Sequence, residues 1–391
     1  MGAKVLALVT PALLGWARKT SSFSLEQAAE KLGIEPTRLA AWESGAEPLT
    51  VPQLRKCANV YKRPLALFFL PEPPKHFTPM KDFRRLPATD AKLSPDLALE
   101  VRRATQRREV ALDLARGLGD VPRTFPVRAS TNESPTDVAA RLRDALGVSI
   151  SSQESWGDEY AALREWRAAV EGLGVLVFRA QKLDPREARG FSIGEDVMPV
   201  VVLSSKDSAA ARVFTLMHEL AHVALRTGGV CDFDERRSPQ TTEERIEVFC
   251  NAVAGETLLP SRTLASLAEV KTHTASMAWS DDQLRALARR FGVSQEVVLR
   301  RLVDLGKASP GFYQAKRSEW QGRPKPTKKS GFERQDEKVL REHGRLFTRL
   351  VLESYHDRVI SLGDVTEFLS VKAPHIEAVE KSLYLSQSNF A

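Results

Sequence analysis

His218-Glu219-Leu220-Ala221-His222 is a set of side chains that can hold a metal ion and do proton chemistry beside it. Residues four apart on an α-helix share a face, so one turn brings both imidazoles to a single point. Glu219 follows His218 by roughly 100° around the helix axis, close enough to take a proton from water at that point. Histidine is scarce here, with seven in 391 residues, so a pair bracketing a carboxylate is unusual. The chemistry it suits is metal-assisted hydrolysis.

The motif needs a helix to present it. Asp207 is the expected N-cap of a helix that runs through Ala209–Met217 and the motif to Leu225, with Gly228 as its stop. Val213, Phe214, Leu216, Met217, Leu220, Val223 and Leu225 make that helix apolar almost all round, which places it in a core. Histidines without partners are costly there, and a metal removes the conflict. Catalytic zinc takes three protein ligands and keeps one position open. Thr241-Thr242-Glu243-Glu244 reads as a capping box that starts a second helix, ending at Leu258-Leu259-Pro260. On it Glu247 and Asn251 share a face. Glu247 is the expected third ligand, with Asn251 orienting it by a hydrogen bond. Zn2+ is the default ion, and Mn2+ also accepts two imidazoles and a carboxylate.

The amino-terminal part has a different pattern. Ser24-Leu25-Glu26-Gln27 is another capping box, opening a helix that ends at Gly33. Pro36-Thr37-Arg38 begins the next, with Leu39 and Trp42, and Val51 to Tyr61 forms a third. Short helices joined by a tight turn make a helix-turn-helix, whose second helix enters the major groove. Thr37 and Arg38 are the expected base contacts; Arg18, Lys19, Lys31 and Arg55 are the expected phosphate contacts. Glu35, Glu43 and Glu47 oppose a phosphate backbone. The net charge of +7 suits nucleic acid as a partner.

Together these residues resemble the ImmA/IrrE metallopeptidases, in the subgroup with an amino-terminal Cro/repressor-like (XRE) helix-turn-helix. The matching blocks are Arg189-Gly190-Phe191-Ser192, Pro199-Val200-Val201-Val202, Phe214-Thr215-Leu216 before the motif, Gly229-Val230-Cys231-Asp232, and Glu247 to Pro260. Trp42-Glu43-x-Gly45, Pro48 and the run Tyr61 to Pro71 resemble the XRE part. The resemblance implies zinc on His218, His222 and Glu247, with Glu219 as general base. It also implies a protein substrate, a helix-turn-helix repressor or antitoxin, cut to relieve repression in phage, mobile-element or stress-response circuits. Val253 departs from the family's bulkier Phe at what is a packing position. A rival reading from another class is a non-proteolytic transcription factor or antitoxin that uses the peptidase fold to sense a signal or bind a neighbouring toxin. A third is a housekeeping peptidase with no DNA role.

The expected fold is mainly α with a small β-sheet (α+β). It comprises an all-α helix-turn-helix domain at 1–73, a helical connector at 74–150, a zincin-like HExxH metallopeptidase domain at 151–262 and a helical region at 263–391. Strands are expected at Val175–Phe178 and Pro199–Leu203, with Gly190–Gly194 between them as a turn or short edge strand that can hold an extended peptide. Ser94-Pro95 opens a long helix ending at Gly119, whose Arg102, Arg103, Arg107 and Arg108 are expected to form a solvated face. Val138 to Leu146 is a further helix. Helices from Ser280 and Ser294 form a second helix-turn-helix-like pair with Arg289, Arg290, Arg300 and Arg301, expected to act as scaffold. Gln321 to Ser330 reads as a linker, and Leu346–Tyr355 and Asp364–Leu369 as a small helical unit.

Val5–Val9 and Ala12–Leu14 superficially resemble a secretory core, but Thr10-Pro11 is a good helix start and no cleavage signal follows. No apolar run approaches the roughly 20 residues a membrane span needs, so no membrane partner is expected. Cys57, Cys231 and Cys250 are too few and scattered for a disulfide framework, which suits a cytoplasmic protein. Cys250 is read as a small buried hydrophobe, with masking of the zinc by Cys231 or Cys250 as the alternative. For the oxyanion donor, Tyr160, His273 and Tyr313 qualify only by residue type.

Overall fold

The computed structural model describes residues 5–74, 93–227, 241–322 and 334–385. Gly228, the block at Gly229–Asp232 with Cys231, and all but the first two residues of the linker at Gln321–Ser330 lie outside them. The described residues form two compact units, one from 5–74 and 93–103, the other from 104 onward. No helix among them is long and apolar enough to cross a membrane.

The first unit is built from α1 (Pro11–Lys19), α2 (Leu25–Leu32), α3 (Pro36–Ser44) and α4 (Val51–Tyr61). Local signals place their ends. Pro11 occupies the first turn of α1, where its missing N–H costs nothing. Ser24 and Gln27 close a reciprocal capping box on α2, and Gly33 and Gly45 take left-handed conformations that end α2 and α3. Leu13, Leu14, Leu32, Leu39, Trp42, Leu54 and Tyr61 fill the core between them.

α5 (Pro95–Gly117) corrects one expectation. Arg102, Arg107 and Arg108 do not belong to a solvated face, whereas Arg103 is exposed as expected, its side chain 45% accessible beside Glu100. In the first unit, Arg102 donates to the Thr20 carbonyl at 2.9 Å, the Ser21 hydroxyl at 3.0 Å and the Tyr61 carbonyl at 3.2 Å. In the second, Arg108 donates to the Met198 and Val197 carbonyls at 3.0 and 2.9 Å, and Arg107 lies over the Phe178 ring. A guanidinium has five donors, so it serves stranded carbonyls as readily as solvent. The helix also ends at Gly117, two residues before Gly119.

The second unit continues with α6 (Pro135–Leu146), α7 (Ile150–Glu154) and α8 (Glu159–Gly172), then β1 (Leu176–Ala180), β2 (Gly190–Ile193) and β3 (Val200–Ser204). The sheet order is β1-β3-β2, with β3 parallel to β1 and antiparallel to β2. The uninterrupted apolar run Val200–Leu203 is buried throughout, as expected of a central strand. The Gly190–Ile193 segment is thus a short edge strand.

α9 (Ala209–Leu225) packs on α8 and on β2 and β3, and α10 (Thr242–Leu258) packs on α9 and α6. The cap of α9 is Ser208, whose hydroxyl accepts from the Ala211 N–H, rather than Asp207. Its C-cap is Arg226 in the left-handed conformation, so it stops before Gly228. α11 (Ser261–Ser266) and α12 (Ala268–Lys271) lead to α13 (Asp281–Phe291), α14 (Gln295–Asp304) and α15 (Pro310–Gly322). Val138 and Leu142 of α6, Trp166 of α8, Leu216 and Leu220 of α9, Val253 of α10 and Phe291 and Leu302 beyond share one hydrophobic core. α16 (Gln335–His343), α17 (Arg345–His356), α18 (Leu362–Phe368) and α19 (Ile376–Leu385) complete the unit, with α16 and α17 against β1.

Candidate metal centre

α9 carries the HExxH motif through a fully apolar stretch, and His218, Glu219 and His222 are each 0% exposed. α10 begins at the capping box that Thr241 and Glu244 close, and its packing on α9 brings Glu247 to the two imidazoles. His218 Nε2 and His222 Nε2 are 3.1 Å apart. The Glu247 carboxylate lies 3.4 Å from His218 Nε2 and 3.3 Å from His222 Nε2. One ligand atom from each of the three residues falls within 4.8 Å of the others.

The hydrogen bonds around this cluster set the tautomers. Asn251 Oδ1 lies 2.8 Å from His218 Nδ1. An amide oxygen only accepts, so Nδ1 carries the proton and Nε2 keeps its lone pair toward the cluster. Asn251 thus orients His218 rather than Glu247. The Thr227 hydroxyl stands 3.2 Å from His222 Nδ1 and holds the second ring in place, as donor or acceptor. Thr227 was not singled out in the sequence. The available signal was its place just past the end of the motif helix, where a hydroxyl can fold back onto the last turn.

The two carboxylates sit in opposite electrostatic settings. Burial pushes Glu219 up to about 8, against the pull of His222 and the Ser192 hydroxyl, while Glu247 adds repulsion. Burial also raises Glu247, but hydrogen bonding and charge from His218 and His222 outweigh it and hold it at about 2. A pair of carboxylates driven apart in this way divides into a standing anion and a proton carrier. Apart from the Ser192 hydroxyl beside Glu219 and the two imidazoles beside Glu247, no donor among the described residues reaches either carboxylate. Buried carboxylates in that condition are what a cation satisfies.

The donor set fits a divalent ion: two imidazole Nε2 atoms and one carboxylate held anionic, all buried and convergent. Two nitrogens and an oxygen are borderline-to-hard ligands of the kind zinc takes in catalytic sites.

β2 runs beside this cluster. A Cβ at Gly190 would stand 2.6 Å from Thr215 Cγ2 and 2.7 Å from the Val202 carbonyl, and 3.5 Å from Glu219 Cγ. Only glycine lets the strand approach α9 so closely. Gly190→Ala is expected to push β2 off α9 and destabilise the protein by about 1–3 kcal/mol, read as a lowered urea midpoint. An unchanged midpoint would show that the strand has room to yield.

The other residues singled out in the sequence lie elsewhere. Cys250 is fully buried in the core, with its thiol pushed well up by burial. The Tyr313 hydroxyl donates to Glu296 at 3.3 Å, His273 stacks on Trp279, and Tyr160 is 59% exposed. In the first unit, Thr37, Arg38, Lys19 and Lys31 are exposed. Arg18 is not: its side chain is 12% exposed and forms a two-pronged pair with Glu43 at 2.7 and 2.9 Å. That bond joins α1 to α3 and removes Glu43 as a repelling charge. Arg38 is braced by Glu47 at 2.8 Å and by the Trp42 ring at 5.4 Å.

Residues 170–303 match the model of a peptidase family described as IrrE N-terminal-like domain, and residues 14–68 match the helix-turn-helix family model. No curated protein and no solved structure matches the chain.

Proposed function

For a chain that joins a helix-turn-helix DNA-binding domain to an IrrE-like metallopeptidase domain, we propose a DNA-tethered zinc endopeptidase that cleaves a regulatory protein. The observation that carries this reading is the convergence of His218, His222 and Glu247 within 4.8 Å, with buried Glu219 on the same turn. His218, His222 and Glu247 would hold the ion. When bound, zinc supplies Lewis acidity, polarising a peptide carbonyl, acidifying water and drawing Glu219 toward its ionised form.

The chain's own groups do the rest. Glu219 accepts a proton at its carboxylate as water attacks the carbonyl carbon, and then delivers it to the leaving nitrogen. The dry surroundings keep that proton from bulk solvent. Asn251 and Thr227 hold the imidazole rings in register. β2, the edge strand next to Glu219, holds the substrate as an added strand and aligns the scissile bond. In the first unit α3 enters the major groove, with Thr37 and Arg38 at base edges and Lys19 and Lys31 at phosphates. Arg38 must exchange Glu47 for a base to do so. The substrate is a helix-turn-helix repressor or antitoxin, and the protein acts in the cytoplasm.

Metal analysis of the purified protein beside its Glu247→Ala variant tests the centre. One zinc per chain is expected in the parent, and a loss of affinity of about 100-fold or more in the variant. Stoichiometric metal in Glu247→Ala would remove Glu247 from the coordination sphere and the proposal with it.

A further inference from the structure

The second unit contains a cavity of about 1810 Å³ walled by α8, β1, the start of α9 and helices α16, α17 and α19. None of His218, Glu219, His222 or Glu247 lines it. Eight arginines and four carboxylates do, and no described lysine. Arginine's planar fork matches phosphate oxygens two at a time, whereas lysine offers a point charge.

The arginines are arranged at an electrostatic disadvantage. Arg167, Arg179, Arg212 and Arg341 each repel the other three. Arg212 is only 6% exposed. Burial, then Arg212, Arg341 and Arg167, bring Arg179 down to about 9. Arg179 Nε is buried without an acceptor among the described residues. Glu171 offsets part of this, lying 3.3 Å from Arg167 Nε and accepting from the Arg345 N–H at 3.1 Å. Asp207 and Glu342 also pull on the cluster. Still, arginines outnumber carboxylates on the walls by four. Like charges gathered in a partly dry cavity are destabilising unless a bound anion compensates them. Leu163, Phe178, Leu203, Leu346 and Leu350 supply apolar wall for the rest of such a molecule.

We infer that this cavity binds a small ligand with several phosphate groups on an aromatic or apolar body, of the nucleoside di- or triphosphate class. With Asp207 and Glu342 set against the eight arginines beside the four lining carboxylates, an excess of two positive charges remains for the phosphates to meet. The volume exceeds the roughly 300–1,000 Å³ of common small-molecule sites, leaving room for the phosphates and ordered water, and the cavity opens to solvent beside the exposed Val121 and Tyr160. Arg212 sits on α9, six residues before His218, so an occupant touches the helix that carries the motif. The inference does not rest on the metal reading.

Calorimetric titration of the full chain with ATP, with adenosine as the uncharged control and a polyglutamate peptide as competitor, tests it. ATP is expected to bind in roughly the micromolar range and adenosine not to bind measurably. Arg179→Met should weaken ATP by about tenfold or more while leaving the ligand-free unfolding midpoint little changed, because the repulsion removed offsets the lost bond from Arg179 Nη2 to the Ser205 carbonyl at 3.1 Å. Arg341→Met serves as the second variant if the first fails to fold. Glu247→Ala should bind ATP like the parent, which separates this cavity from the metal cluster. No ATP binding by the parent, undiminished binding by both arginine variants, loss in Glu247→Ala, or tighter binding of polyglutamate would each overturn the inference.

Discussion

Glu219→Gln is expected to lower peptide-bond hydrolysis by about 10²–10⁴-fold, roughly 3–5 kcal/mol of barrier, with metal content unchanged. Glutamine has the same shape and fits the same fully buried position, so α9 and its packing are undisturbed. What disappears is the ability to accept a proton. Burial makes Glu219 a stronger base than an ordinary carboxylate once a bound ion draws it into its ionised form, while Glu247 stays anionic beside the imidazoles. A quenched-fluorescent peptide library read against zinc content separates the two effects. Activity lost together with zinc would mean the glutamate holds the site rather than running the chemistry. Promoter occupancy gives the second readout. Lost cleavage with normal DNA binding supports the enzyme, whereas unaltered regulation by Glu219→Gln would leave the peptidase fold a non-proteolytic module.

Arg301→Met is expected to destabilise the second unit by about 3–5 kcal/mol. Arg301 on α14 and Glu256 on α10 form an ion pair whose side chains are each 7% exposed. Removing the arginine leaves a buried carboxylate without its counter-charge, with the Ser261 N–H and hydroxyl still donating to it at 2.9 and 2.8 Å. It also strips the Leu259 carbonyl and the Ser261 hydroxyl of donors at 3.2 and 2.7 Å. Gly255 keeps α10 clear of this side chain: a Cβ there would stand 3.1 Å from Arg301 Cδ. Arg301 is one of three such braces. Arg143 of α6 donates to the Thr257 carbonyl at 2.6 Å, and Gln153 of α7 to the Leu258 carbonyl at 2.8 Å. The end of the helix bearing Glu247 is therefore held by residues from three other elements. Urea unfolding of Arg301→Met beside the Arg301→Met/Glu256→Leu double variant reads the effect. Substantial recovery in the double variant is expected, because the stranded charge is gone. A single-variant loss below about 1 kcal/mol would put the pair in the class of solvent-screened bridges.

This bracing explains the arginine-rich helix pair at 281–304. Its spacing resembles a DNA-contacting unit, but Arg301 faces inward, Arg290 pairs with Glu154 at 2.7 Å, and Arg300 lies over the Tyr313 ring. Composition along a chain registers the charge, not the partner. A failure of local reading applies to Arg18, assigned to phosphate by its type and held by Glu43 twenty-five residues away. It applies again to Arg102 and Arg108 on α5, which serve distant carbonyls.

Features set within four or five residues were legible in the sequence, because helix and capping hydrogen bonds reach no further. The capping boxes at Ser24 and Thr241, the left-handed Gly33, the pairing of His218 with His222 on one face and the buried run at Val200–Leu203 are of this kind. Even so, the choice between adjacent caps, Ser208 over Asp207, turned on backbone geometry that composition does not carry. Packing decided the rest. The approach of Glu247 to both imidazoles, the attachment of Asn251 to His218, the closeness of Gly190 to α9 and the gathering of arginines around one cavity all join residues remote in sequence. Such contacts depend on how helices and strands stack, and side-chain spacing along one element cannot encode the position of another.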